Sequence, residues 1–227
     1  ENLAHVRARI AAAAARAGRE PHEVTLVAVS KTHAAEAIEA AYALGVRDFG
    51  ESRVEEALPK MAAVQTWLAQ QPNAAPITWH LIGHLQSRKA AAAVGPFQLI
   101  HSVDRIKLAH KLAQLSQGRG QAQAVLLEVN LTGETSKYGF NPDEIDAWVD
   151  QIAAQSSLRV KGLMTIAPIV VQPADARPVF QGLRALRAHL AARHPQLDWS
   201  QLSMGMTDDF ETAIEEGATL VRIGRAI

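Results

Sequence analysis

A lysine follows a short, almost wholly apolar segment, Val24-Thr25-Leu26-Val27-Ala28-Val29-Ser30, and its position bears directly on chemistry. That composition is how a strand buried on both faces reads, so Lys31 closes a strand. An amine that loses hydration there has its pKa drawn toward the neutral form, and a neutral amine can attack a carbonyl to give a Schiff base. Position alone leaves a second reading open, in which Lys31 is a solvated strand end or an ion-pair partner of Glu51. Two glycine segments form the other constellation, Ser203-Met-Gly205-Met-Thr207 and Arg222-Ile-Gly224-Arg225. Glycines let backbone N–H groups come close to an anion, and Ser203 and Thr207 add hydroxyl donors. The plainer alternative is two tight turns with Thr207 as a helix N-cap. Asp208 and Asp209 would sit in the first turn of the next helix and repel a phosphate, so an anion is expected on the glycine loops. A guanidinium at Arg222 donates only. Facing a ring nitrogen it would keep that nitrogen unprotonated, and the bland alternative is a salt bridge to a carboxylate such as Glu51.

These residues need a scaffold that brings strand ends together. Apolar, β-branched runs predict strands at 24–30, 46–49, 78–82, 97–101, 123–130, 159–166, 200–204 and 219–223. Helical spacing predicts helices at 2–17, 33–44, 52–70, 85–93, 104–117, 141–156, 174–193 and 208–216. Strand–helix alternation implies a parallel sheet, and eight repeats favour an α/β fold closed as a (β/α)8 TIM barrel. Residues 1–227 are expected to form one domain, with the N-terminal helix filling the outer slot after the eighth strand. Barrel ligands sit at the C-terminal ends of strands, and phosphates often dock after strands seven and eight. The informative residues are therefore those that close each strand, and besides those above they include Ser52, His80, His101, Ser102, Asn130, Glu134, Lys137 and Met164.

Composition removes other classes. Twenty-three basic and 23 acidic residues balance to zero formal charge, which argues against nucleic acid and anionic membranes as partners. There are no cysteines, so thiolate nucleophiles, disulfides and Cys-bound metals are excluded and a reducing cytoplasm is the expected location. His80 and His84 are four apart, but Gly83 interrupts them, and no zinc pattern results. Neither a phosphate-binding P-loop, a dinucleotide fingerprint nor a nucleophile elbow is present. Arg177, Arg184, Arg187 and Arg193 fall on one helix and read as a solvated face. Glu134 and Lys137 are either a surface pair or an acid and a second amine at the mouth.

Taken in order, Leu26-Val-Ala-Val-Ser-Lys-Thr32, Phe49-Gly-Glu-Ser52, Trp79-His-Leu-Ile-Gly-His-Leu-Gln-Ser-Arg-Lys89, Ile100-His-Ser-Val-Asp104, Glu128-Val-Asn130, Ser136-Lys137, Gly162-Leu-Met164, Leu202-Ser-Met-Gly-Met-Thr-Asp-Asp209 and Val221-Arg-Ile-Gly224 resemble the pyridoxal 5'-phosphate homeostasis family, single-domain relatives of the alanine racemase N-terminal barrel. The resemblance implies a monomeric barrel of fold type III with covalently held pyridoxal 5'-phosphate (PLP). Lys31 would carry the Schiff base, Ser203 through Thr207 with Gly224 and Arg225 would hold the phosphate, and Arg222 would face the pyridine nitrogen. Ser52, His80 and Met164 complete the implied cofactor site. Ser52 stands where the family usually has Asn, His84 where it has Pro, and Arg88 where it has Asn. The chain opens at Glu1 and stops at Ile227, before the family's usual closing Phe-Gly, so trimmed ends are expected. The implied role is a carrier that stores PLP or hands it to apoenzymes. An amino-acid racemase, with Tyr138 beside Lys137 as a second acid/base group, is the alternative, and a Schiff-base aldolase acting on a sugar phosphate is the third.

Overall fold

The computed structural model describes residues 1–134 and 137–227; Ser136, one of the motif residues above, lies outside them. Eight strands run in parallel and close in sequence order into a barrel, β8 pairing with β1. They are β1 (Thr25–Val29), β2 (Asp48–Glu51), β3 (Thr78–Leu81), β4 (Leu99–Val103), β5 (Gln123–Glu128), β6 (Leu158–Met164), β7 (Gln201–Ser203) and β8 (Leu220–Ile223). The helices are α1 (Asn2–Arg16), α2 (Ala35–Ala43), α3 (Val54–Leu68), α4 (Ala90–Ala93), α5 (Ile106–Gly118), α6 (Ile145–Ala153), α7 (Arg177–Arg193) and α8 (Phe210–Glu215).

The expected elements are all present, and their bounds differ in an instructive way. The segment 85–93, read as one helix, is a 3-10 turn over Ser87–Lys89 followed by the single turn of α4. The second strand lies two residues later than 46–49 and takes in Glu51; the fourth begins at Leu99 and runs past His101 to take in Ser102 and Val103. Polar residues were taken to end strands, but here they sit within the ladder because partners inside the fold satisfy them.

Alternation along each strand sorts residues into two environments. Val27, Leu99, Leu126, Met164 and Leu220 pack together inside the barrel, separately from the larger core between sheet and helices. The N-terminal helix takes the vacant outer position. It buries Leu3, Val6, Ile10, Ala13 and Ala14, reaches α8 through Arg9–Glu211 and Arg16–Glu215 at 3.1 and 2.8 Å, and touches the end of α2 through Arg7 Nη1 donating to Leu44 O at 2.8 Å. The arginines of α7 are less solvated than expected. Arg177 reaches Glu215 and Glu216 at 2.6 Å, Arg184 reaches Glu216 at 3.0 Å and Arg193 reaches Asp146 at 3.3 Å, tying α7 to its neighbours.

Between β5 and β6 the register slips, with Val125 opposite Val160 but Leu126 opposite Gly162, so Lys161 is an extra residue. Gly162 has φ +143°, and a Cβ there would lie 1.8 Å from Gln201 O in β7. Gly162→Ala is expected to cost more than about 3 kcal/mol through strain and overpacking. A urea-unfolding midpoint equal to that of the parent would show that the bulge does not need this glycine.

Candidate functional site

The turn carrying Lys31 is clamped on both sides by one buried ion pair and its neighbour. Ser30 points away from the barrel interior, and its hydroxyl donates to Glu51 Oε1 at 2.7 Å. Lys60 of α3 donates to the same oxygen at 2.7 Å and to Ser30 O at 2.8 Å. On the other flank the Thr32 amide donates to Glu56, which also meets Lys60 at 3.4 Å. Thr32 has φ +66°, a left-handed conformation that costs a β-branched residue about 1–3 kcal/mol and is characteristic of over-determined, functional turns. Glu51 is therefore the partner of Lys60, and neither Lys31 nor Arg222 pairs with it. Lys31 has the inward parity of Val27 and Val29, yet the strand ends at Val29 and the side chain is exposed. The expected loss of hydration at Lys31 is thus corrected: the turn lifts it clear of the buried ladder.

The glycine loops lie beside this turn. A Cβ on Gly224 would meet Val29 Cβ at 3.3 Å and Val29 O at 3.4 Å, so the end of β8 approaches the base of the lysine turn closely. Gly205 has φ +91°, and a Cβ there would come within 2.6 Å of Ala213 Cβ and 2.9 Å of Phe210 Cα. It is required to seat the start of α8 under the loop. Thr207 is half-buried in that loop, and α8 begins after Asp209, whose Oδ1 accepts from Met206 N at 2.6 Å. Arg225 is exposed and pairs with Asp208 at the surface.

Inside the mouth the arrangement differs from expectation. Ser203 is fully buried, and its hydroxyl is engaged twice, 2.6 Å from Arg222 Nη1 and 2.8 Å from His101 Nδ1. Its side chain therefore belongs to the barrel interior and not to an anion cradle. His80 is likewise buried, its Nε2 3.0 Å from Asp48 Oδ1 and its Nδ1 2.9 Å from His101 Nε2, and Met164 fills the apolar interior. Ser52 is half-buried at the end of β2, with its backbone packed on Gly83, where a Cβ would lie 2.3 Å from Ser52 O. Arg222 is buried; its Nη2 donates to Thr165 O at 3.0 Å. Burial draws its pKa down to about 10, against the pull of Asp209 and Glu128, so it stays cationic at neutral pH.

Glu128, at the end of β5, was legible only as part of a motif. One carboxylate oxygen is buried without a partner, and burial, aided by Asp104 and opposed by Arg222, raises its pKa to about 7. It lines a hollow of about 160 Å³ with Asn130, Lys137, Tyr138 and Ile166. Lys137 pairs with Glu134 at 2.8 Å, as in the surface-pair reading, and also lines this hollow, which Glu134 does not. Tyr138 stacks on His84 with ring centroids 3.6 Å apart. Among the described residues no cluster of three or more His, Asp or Glu side chains is placed to hold a metal ion.

A closed eight-stranded parallel barrel with a buried guanidinium, a lysine turn and two glycine loops at one mouth is a (β/α)8 barrel with its polar groups gathered at the C-terminal ends of the strands. The chain belongs to the alanine racemase N-terminal domain family, whose model matches residues 2–227. It is 42% identical over 227 residues to the pyridoxal phosphate homeostasis protein of Pseudomonas aeruginosa, covering all of this chain and 93% of that one. It is 40% identical to the protein of the same name from Aquifex aeolicus, over 99% of this chain and 94% of that one. The structure of PipY from Synechococcus elongatus with PLP bound superposes with a TM-score of 0.82 at 39% identity, covering 96% of this chain and 98% of that one. An alanine racemase from Clostridium difficile shares the fold alone, with a TM-score of 0.65 at 12% identity over 90% of this chain and 51% of that one.

Two outcomes test this geometry. Lys60→Ala strands the Glu51 carboxylate and is expected to cost about 3–5 kcal/mol, most of it regained in Lys60→Met combined with Glu51→Leu; a single-variant loss no larger than that of a surface change would refute the clamp. Glu128 has a folded pKa above its ordinary 4.5, so its stabilising contribution is complete below pH 4.5 and is lost as pH rises toward about 7. Relative to Glu128→Gln, the parent should therefore lose about 2–3 kcal/mol across that window and nothing further above it. A stability difference independent of pH would contradict the buried placement.

Proposed function

We propose that this protein binds pyridoxal 5'-phosphate at the C-terminal mouth of its barrel and serves PLP homeostasis as a carrier, holding the cofactor on Lys31 and releasing it to PLP-dependent apoenzymes. The observation that carries the reading is the close approach of Gly224 to Val29, which puts a glycine loop against the turn that presents the only strand-closing lysine of β1, while Arg222 stands charged inside the same mouth. The residues fit the group. Lys31 is accessible to an aldehyde, the backbone N–H groups of Gly205, Thr207, Gly224 and Arg225 with the Thr207 hydroxyl suit a phosphate, and Arg222 suits an aromatic ring nitrogen. When bound, PLP supplies an aldehyde that a lysine amine can hold as a Schiff base.

Holding is favoured over turnover by Arg222. A guanidinium keeps its protons at neutral pH and only donates hydrogen bonds, so it does not protonate a ring nitrogen, and an unprotonated ring is a weak electron sink for amino-acid chemistry. Balanced charge supports a protein that works without nucleic acid, and no helix among the described residues is long and apolar enough to cross a membrane. The reading includes residues 1–227 acting as one unit, a monomeric state and a cytoplasmic location, the last in keeping with the lack of cysteines.

Purified protein mixed with PLP is expected to develop a visible absorption band that borohydride converts to a stable adduct on the peptide containing Lys31. Lys31→Ala should abolish that band. A band of undiminished strength in the variant, or an adduct mapping to Lys137, would move the anchor elsewhere, and turnover of amino acids at ordinary enzymatic rates would overturn the carrier role.

A further inference from the structure

A chain of hydrogen bonds crosses the barrel interior from the mouth to the opposite end. Arg222 Nη1 lies 2.6 Å from Ser203 Oγ, Ser203 Oγ lies 2.8 Å from His101 Nδ1, His101 Nε2 lies 2.9 Å from His80 Nδ1, and His80 Nε2 lies 3.0 Å from Asp48 Oδ1. Five strands contribute one residue each: β8, β7, β4, β3 and β2. Arg222, Ser203, His101 and His80 are buried, whereas the Asp48 side chain is 28% exposed. Asp48 opens the N-terminal end of β2 and lines a hollow there with Arg7, His22, Thr25 and Arg47.

The chemistry of the two ends dictates where every proton lies. Arginine only donates, so Ser203 accepts from it and has one proton left to give. If that proton goes to His101 Nδ1, then His101 carries its own hydrogen on Nε2 and donates to His80 Nδ1. His80 in turn carries its hydrogen on Nε2 and donates to the Asp48 carboxylate. Both rings are then neutral, and every group in the line is satisfied. Reversing the line requires an extra proton: His80 becomes a cation, His101 carries its hydrogen on Nδ1, and the Ser203 hydroxyl hydrogen loses its recipient. The first arrangement leaves nothing buried unpaired, the condition that decides such interiors. Burial, with His80 and Arg222 nearby, also holds the pKa of His101 well below the ordinary histidine range.

We propose that Asp48, His80, His101 and Ser203 are positioning residues that form a one-way hydrogen-bond chain, fixing the guanidinium of Arg222 from the far end of the barrel so that its remaining N–H groups face the ring nitrogen of the bound cofactor. Two donors of Arg222, one on each Nη, point inward to Ser203 Oγ and Thr165 O, which leaves one hydrogen on each Nη and the Nε hydrogen for the mouth. The role toward the ring rests on the PLP reading above; the chain itself does not.

The chain is tested first in the free protein. Long-range ¹H–¹⁵N spectra of the histidine rings, assigned through His80→Gln and His101→Gln, should show His101 with its hydrogen on Nε2 and none on Nδ1. An Nδ1–H tautomer at His101 would overturn it, whatever the cofactor does. The positioning role is tested at the foot, away from the mouth. Asp48→Leu removes the last acceptor and is expected to weaken PLP binding about fivefold to tenfold and to shift the visible band, while Asp48→Asn, which keeps an acceptor oxygen, restores parental values. Parental affinity and an unshifted band in Asp48→Leu would overturn the positioning role. If PLP instead bound normally to Lys31→Ala, the cofactor reading would fail while the ring spectra still decided the chain.

Discussion

Closing eight strands into a barrel creates an interior of buried side chains, and a permanent cation has been placed in it. Everything polar inside this barrel follows from that constraint. Arg222 is buried, and the cost of desolvating a guanidinium must be offset by acceptors within reach. Ser203 Oγ and Thr165 O take two of its donors directly, His101, His80 and Asp48 extend the line to a carboxylate near the surface, and Asp209 and Glu128 add negative charge close by. The apolar residues Val27, Leu99, Leu126, Met164 and Leu220 fill the remaining volume, so the field of these few charges acts in a medium of low polarisability, where it is strongest.

A second buried charge lies on the other side of the sheet. Glu51 and Lys60 are separated from the interior by β2 and face the helical layer, where they hold Ser30. Glu56 holds Thr32, and together they support a left-handed residue directly after Lys31. One face of the sheet therefore sets the orientation of the arginine, and the other sets the turn of the lysine. The two meet only at the mouth, where the close approach of Gly224 to Val29 joins β8 to β1. A site assembled this way has its reactive amine on a constrained turn open to solvent and its charged partner on a rigid strand. That combination suits capture and release of a small aldehyde.

The eightfold alternation and the placement of Lys31, Arg222 and the glycine loops at strand ends were legible in the sequence. Local patterning carries such information: β-branched runs report strands, and glycines at strand ends report close approaches. Asp48 and Lys60 carried no comparable signal, and His101 was visible only as the close of a strand. Asp48 and His101 are ladder residues whose polarity is satisfied from strands far away in sequence. Ser203 and His80 were visible as candidates, but their hydroxyl and ring are engaged in one buried network. Which polar side chain remains free for a ligand depends on the partners of its neighbours, and residue type does not reveal that.

By itself, then, the order of residues determined a closed parallel barrel, the glycines that end its last two strands and the exclusion of thiol chemistry. Those properties depend on local periodicity and on residue types that are present or absent. Tertiary structure alone decided that Lys31 is solvated, that Glu51 belongs to Lys60, and that Asp48 at one end of the barrel is connected to Arg222 at the other. Each of these turns on distances between residues some 9 to 100 positions apart, set when β8 closes on β1 and the interior is cut off from water, so that every buried hydrogen must find an acceptor among the side chains enclosed with it.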